Sequence, residues 1–231
     1  VEGARDMMAG TDVPNVMAEF PPTDPGVDAL RRLTEDGLPT AMLGPVLPEE
    51  IREVCEAYVS GLEARLAGQN TVHEARCFVV VELGRLQSAV RDPSDTTWSS
   101  QLARIIADEF MTVADDFFQS ERFRPLQQRG AVPLRFAWSV AGSFAPGPFL
   151  DSLHIPYSHP LVPEALLPTI NGKMRFDFRA ARRPRAERGR LERELSRRSI
   201  RLKEVAEALQ TELYSRRARN LERFDDAING R

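Results

Sequence analysis

Residues Thr71–Val90 read TVHEARCFVVVELGRLQSAV, and the fold turns on how this stretch is taken. Thr71 and Glu74 form the T-x-x-E pattern of a helix capping box. Val72, Ala75, Phe78, Val79, Leu83, Leu86 and Val90 follow at steps of three and four, one apolar helical face. The same stretch holds Cys77-Phe78-Val79-Val80-Val81, an apolar, largely β-branched run stopped by Glu82, which suits a strand. The cap and the period sustained beyond Leu83 favour the helix. On that reading residues 71–90 join two clearer helices in a small bundle.

The first of those helices spans residues 48–67. Pro48 stands in the first turn, Glu49 and Glu50 complement the helix dipole, and Gly68 marks the stop. Ile51, Val54, Cys55, Tyr58, Val59, Leu62 and Leu66 make its apolar face. The other helix runs from near Trp98 to Ser120, with Leu102, Ile105, Ile106, Phe110, Val113 and Phe117 inward. Upstream, residues 1–48 hold seven prolines. They read as an extended arm with one short helix near Pro25–Leu38, capped by Asp24. Downstream, Pro133–Val140 alternates apolar and polar residues as a strand does. Asn171-Gly172 is a two-residue hairpin turn ahead of alternating Met174, Phe176 and Phe178. A helical pattern then runs from Leu191 to about Ile228, on the order of 55 Å. Its apolar stripe is narrow, which suits a coiled coil or a helix laid on a surface.

The expected fold is therefore mainly α with a small β element. It comprises a bundle of about three helices, a Pro-rich extended N-terminal arm, a small β-hairpin region and a long C-terminal helix. The organisation is 1–47 arm, 48–130 helical body, 131–180 Pro-rich loop and β region, and 181–231 Arg-rich junction with the long helix.

The 231 residues carry 31 basic and 34 acidic side chains, a net charge of −3. Residues 1–171 hold 13 basic and 24 acidic groups, net −11; residues 172–231 hold 18 and 10, net +8. The excess sits in 179–203: Arg179, Arg182, Arg183, Arg185, Arg188, Arg190, Arg193, Arg197, Arg198, Arg201 and Lys203, against Glu187, Glu192 and Glu194. These arginines are the candidate partner-binding residues. Acidic protein, nucleic acid and an anionic lipid surface all fit such a run. Of the 31 basic residues only Lys173 and Lys203 are lysines.

The apolar fraction of 42% supports a packed core. No apolar run approaches the ~20 residues that span a bilayer. Cys55 and Cys77 are too few for a disulfide scaffold and read as buried reduced thiols in helices. Asp115-Asp116-Phe117-Phe118 resembles the aspartate-rich helix of class I terpene synthases, which implies Mg²⁺ held on a diphosphate. Position 119 is Gln and no second metal motif follows, so the pair also reads as solvated acids near a helix end. Asp151, His154 and His159 give D-x-x-H-x-x-x-x-H, three groups able to ligate a metal, in Pro-rich chain. His73 reads as a surface histidine. No G-x-S-x-G, P-loop or G-x-G-x-x-G is present, and no cofactor is implied.

The expected function is a non-enzymatic structural or accessory subunit of a large multi-protein assembly, contacting other subunits through its arm, Arg-rich junction and long helix. The start at Val1 would suit a processed organellar protein, such as a respiratory, ATP-synthase or mitoribosomal subunit. A phage or virus structural protein, an RNA-binding protein acting through 179–203, and a metal-dependent enzyme are the alternatives.

Overall fold

The computed structural model describes residues 2–9, 16–90, 98–143, 158–169 and 190–229. Its helices are α1 (Glu2–Ala9), α2 (Asp24–Asp36), α3 (Pro48–Ala67), α4 (Leu83–Ala89), α5 (Trp98–Phe118), α6 (Arg124–Gln128), α7 (Arg190–Arg197) and α8 (Leu202–Asn229). Its strands are β1 (Ala18–Phe20), β2 (Thr40–Leu43), β3 (Cys77–Val81), β4 (Arg135–Ser139) and β5 (Ser158–Leu161). The five strands form one sheet in the order β1-β2-β3-β4-β5, each pair parallel. This overturns the mainly-α expectation. The protein is α/β, with helices alternating between parallel strands.

The topology follows from chain stiffness and handedness. Parallel neighbours need a crossover, and crossovers are right-handed in nearly every known case. A strand order that advances in one direction then places all the crossover helices on one face. The result is part of a barrel of the TIM type rather than a doubly wound sheet. The register bears this out. Met42, Val79 and Phe136 align across β2, β3 and β4, and Val81 aligns with Trp138. These five, with Thr40 and Cys77, are almost fully buried. The opposite, inner face carries Leu43, Phe78 and Val80, which are only half-buried, and Arg135, His159 and Leu161, which are exposed.

Residues 71–90 hold the decisive correction. Cys77–Val81 is the central strand and only Leu83–Ala89 is helical. Val79, Leu83 and Leu86 are buried under either reading, so the period could not discriminate. The β-branched run gains ladder bonds on both sides from β2 and β4, which an isolated helix reading omits. Glu74 is not a capping acid: its carboxylate pairs with Arg65 at 2.6 Å. The buried Arg65 also donates to the backbone oxygens of Glu35, at 3.1 Å, and Thr71. It thereby ties the ends of α2 and α3 to the entry of β3. Gly37, at φ +83°, caps α2 beside it, and a side chain there would collide with the guanidinium.

The residues read as an arm contain β1, α2 and β2. Thr23, not Asp24, caps α2 by accepting from Gly26 N. The strands were hidden because they are three and four residues long between prolines. α3, α5 and β4 lie where their patterns put them. The terminal helix is two helices, broken at Ser199, which stands at φ +55°. Leu202, Ala206, Leu209 and Leu213 of α8 are buried against the body, so its narrow stripe is no coiled-coil seam. The proposed hairpin at Asn171-Gly172 lies outside the described residues.

Both cysteines are free and buried, though Cys77 lies on a strand. Burial pushes the Cys77 thiol up to about 12 and raises Cys55 as well. Their contribution to stability is full below the ordinary thiol range and is lost as pH rises toward the raised values. A thiol reagent at pH 8 is expected to modify neither until the chain is unfolded in urea; labelling of the native protein within minutes would contradict this burial.

Candidate functional site

In parallel α/β folds of the barrel type, reacting groups gather at the C-terminal ends of the strands, where the βα loops converge. Here that end carries a polar cluster. Glu82 follows Val81 directly, and strand alternation turns it toward the inner face with Phe78 and Val80. Ser139, the last residue of β4, lies on that face too and donates from Oγ to Glu82 Oε2 at 2.9 Å. Arg85 Nε, on the first turn of α4, stands 3.6 Å from the same carboxylate oxygen. Ala141 N reaches back to Ser139 Oγ at 3.4 Å. Ser143 Oγ meets Gln87 Oε1 at 2.5 Å.

The position of Glu82 depends on a close helix–strand approach. A Cβ on Gly84 would stand 2.6 Å from the backbone of Val140 and Ala141. Only glycine lets α4 start that close to the end of β4. Glu82 and Ser139 are thus brought together from 57 residues apart. Glu82 retains partial solvent access, with 15% of its side chain exposed, while Ser139 is buried. A carboxylate with one hydroxyl donor, one guanidinium and an open side can accept and return a proton.

α8 lies across the same end of the sheet. Gln210 donates to Glu50 Oε1 at 2.6 Å, and Glu212 pairs with Arg85. Arg217 pairs with Glu19 on β1. Leu213 fills the space beside Gly44, whose φ of +85° turns the chain out of β2. Glu50 is itself fixed by the backbone N–H groups of Val46 and Leu47 at 2.7 and 2.9 Å. The long helix therefore closes over the strand ends of its own chain.

The residues singled out from the sequence fall elsewhere. Asp115 and Asp116 are half-buried near the end of α5, and each has an interaction of its own. His159 is exposed on the inner face of β5, its ring 6.4 Å from that of Phe78. Asp151 and His154 lie outside the described residues, among which no group of three acids, histidines or cysteines is placed to hold a metal. Arg179, Arg182, Arg183, Arg185 and Arg188 also lie outside them. Arg190 opens α7. Arg193, Arg197, Arg198 and Arg201 are exposed. Arg197 pairs with Glu194 and Arg201 with Glu204, while Arg198 stacks 4.3 Å over the Trp98 ring. Glu82 was visible in the sequence only as the residue that stops an apolar run. An acid at the C-terminal end of a parallel strand is the signal that would have found it.

No protein-family model matches the chain. Among curated proteins it is similar to a transaldolase of Saccharopolyspora erythraea, 26% identical over 176 residues. That alignment covers 72% of this chain and 48% of that protein. A transaldolase of Neisseria meningitidis serogroup A is 28% identical over 175 residues, covering 72% and 49%. One from Thiobacillus denitrificans is 26% identical over 188 residues, covering 75% and 49%. The chain spans about half the length of these relatives. Their names support an enzyme, which overturns the expectation of a structural subunit. The virion and coiled-coil readings fall with it, and nothing in these bacterial relatives supports a mitochondrial protein.

Proposed function

We propose that this chain is part of an aldol-transfer enzyme whose proton-transfer group is Glu82. The observation that carries the reading is the Glu82–Ser139 pair on the inner side of the strand ends, in a fold and a sequence similar to transaldolases. In an aldol cleavage the donor's hydroxyl loses its proton as the carbon–carbon bond breaks. In the return step the acceptor's new alkoxide takes one up. A single carboxylate serves both halves, so the proton count closes over one turnover. Ser139 orients the carboxylate. Arg85 stands beside it, its Nε 3.6 Å from the same oxygen.

The electron pair released by the cleavage needs a sink, and an imine formed by a lysine amine is one general solution. The chain has two lysines, Lys173 and Lys203. Lys203 is exposed on the first turn of α8. Lys173 follows β5 in sequence and is the better candidate for the amine. Incubation with a ketose donor and borohydride is expected to attach the donor, or the fragment kept after cleavage, irreversibly to the wild type and to Lys203→Ala, with a mass gain of that carbonyl compound less one oxygen (water lost, two hydrogens gained), but not to Lys173→Ala. Equal trapping by all three proteins would remove Lys173 from this role.

The scarcity of lysine favours one second reading, a sugar-binding protein of the same fold that performs no carbon–carbon chemistry. Transfer from a ketose donor to an aldehyde acceptor separates the two. Turnover that is lost in Glu82→Gln supports the enzyme; saturable donor binding with no turnover supports the binding protein.

A further inference from the structure

A second polar feature lies at the opposite, N-terminal end of the sheet. A cavity of about 180 Å³ is lined by Arg76, Cys77, Phe78, Val132, Pro133 and Arg135. Alternation places Arg76, just before β3, on the same inner face as Phe78, and Phe78 is in register with Arg135 of β4. Both arginines therefore stand beside Phe78 on that face. Arg76 Nη1 is buried and has no hydrogen-bond partner. Among the described residues neither arginine forms an ion pair and no acid lines the cavity. Two other buried or half-buried arginines are handled differently: Arg65 has Glu74 and two carbonyls, and Arg85 has Glu82 and Glu212.

A buried, unsatisfied guanidinium N–H calls for an explanation, because native structures satisfy nearly all such groups. Water alone would satisfy the N–H but leave two like charges facing one space. An oxyanion does both, and the guanidinium fork matches its geometry. Size narrows the choice. Liquid water occupies about 30 Å³ per molecule, so the cavity has room for about six waters. That suits one tetrahedral oxyanion with a short substituent and lies below the ~300 Å³ at which drug-sized pockets begin. Six residues of extended chain, about 20 Å, separate Arg76 from Glu82. The two ends therefore cannot share one small ligand.

We propose that this cavity is a binding site for phosphate, free or as the end group of a small ester, held by Arg76 and Arg135. The site is independent of the aldol-transfer reading, and its test needs no turnover. Inorganic phosphate is titrated into the full chain by calorimetry, and thermal unfolding is followed in phosphate and in chloride of matched ionic strength. The expected result is one saturable site, with a midpoint that rises with phosphate concentration and not with chloride. Arg135→Gln, at an exposed position, should weaken binding at least tenfold. Arg76→Gln should abolish it while leaving the midpoint in chloride unchanged or higher, because an unsatisfied buried charge has gone. Glycerol 3-phosphate separates the sources: binding tighter than inorganic phosphate assigns an ester, and weaker binding assigns the free ion. Equal midpoints in phosphate and chloride would overturn the proposal, leaving water in the cavity. So would phosphate binding of unchanged affinity in Arg135→Gln, the variant that keeps the test informative if Arg76→Gln does not fold.

Discussion

Glu82→Gln is expected to lower aldol-transfer turnover by about 10²–10⁴-fold, the range that a positioned acid–base group supplies. The amide has nearly the shape of the carboxylate and still accepts from Ser139 Oγ, which lies 2.9 Å away in the wild type. What it loses is the capacity to take a proton. The effect should therefore fall on kcat, with KM for the donor within about threefold of wild type, as expected for an interaction used only in the chemical step. Steady-state kinetics alongside a urea unfolding curve checks both halves. Glu82 keeps partial solvent access, and its pairing with Arg85 at 3.6 Å is long, so the unfolding midpoint should barely move. Ser139→Ala is the milder companion. It frees the carboxylate to rotate and should cost about tenfold in kcat. A Glu82→Gln variant that keeps a third or more of wild-type turnover would dismiss Glu82 as the proton-transfer group.

The largest loss of stability is expected from Trp138→Ala. Trp138 is fully buried on the helix-covered face of β4 and stacks on Phe136, with ring centroids 4.9 Å apart and planes within 5°. Removing a buried indole costs about 3–5 kcal/mol through lost transfer energy and the cavity left behind. The stacked partner adds to that loss. Domains of this size hold about 5–15 kcal/mol in total, so the variant should sit near the edge of folding. Trp138→Phe gives the contrast. Trp138 Nε1 is buried without a partner, so phenylalanine removes an unsatisfied donor along with part of the ring. It should cost less than half as much. Urea denaturation of both variants measures the difference; a loss below about 1 kcal/mol for alanine would mean that α4 and α5 close around the gap. Because Trp138 pairs with Val81, next to Glu82, a small shift here also reaches the candidate site.

Local patterning alone determined several elements. α3 has a proline and two acids in its first turn, an unbroken apolar face and a glycine at its end. α5 and β4 have equally plain periods. In each case the residues that form the element also mark its limits, so no distant partner is needed to read them. The hidden elements are those whose existence depends on a neighbour. β1 and β2 have too few residues to show a period, and hydrogen bonding along a parallel sheet is what makes three or four residues a strand. The stretch from β3 into α4 satisfies both periods at Val79 and Leu83, and only pairing of β3 on both sides decides between them. Ser199, at φ +55°, divides a stripe that is continuous in the sequence.

The charge asymmetry was legible by counting, but its importance was not. The described arginines at its C-terminal end are exposed or locally paired, while the arginines that matter to the two sites, Arg85, Arg76 and Arg135, stand singly in the acidic part of the chain. The sequence by itself determined the long helices, the strand at 135–139 and the apolar content of the core, because those are properties of neighbouring residues. Only the tertiary structure decided that the chain is α/β, that Glu82 meets Ser139, and that Arg76 and Arg135 line one cavity. Each of these joins residues far apart in the chain across parallel strands, and no local pattern encodes which strands will pair.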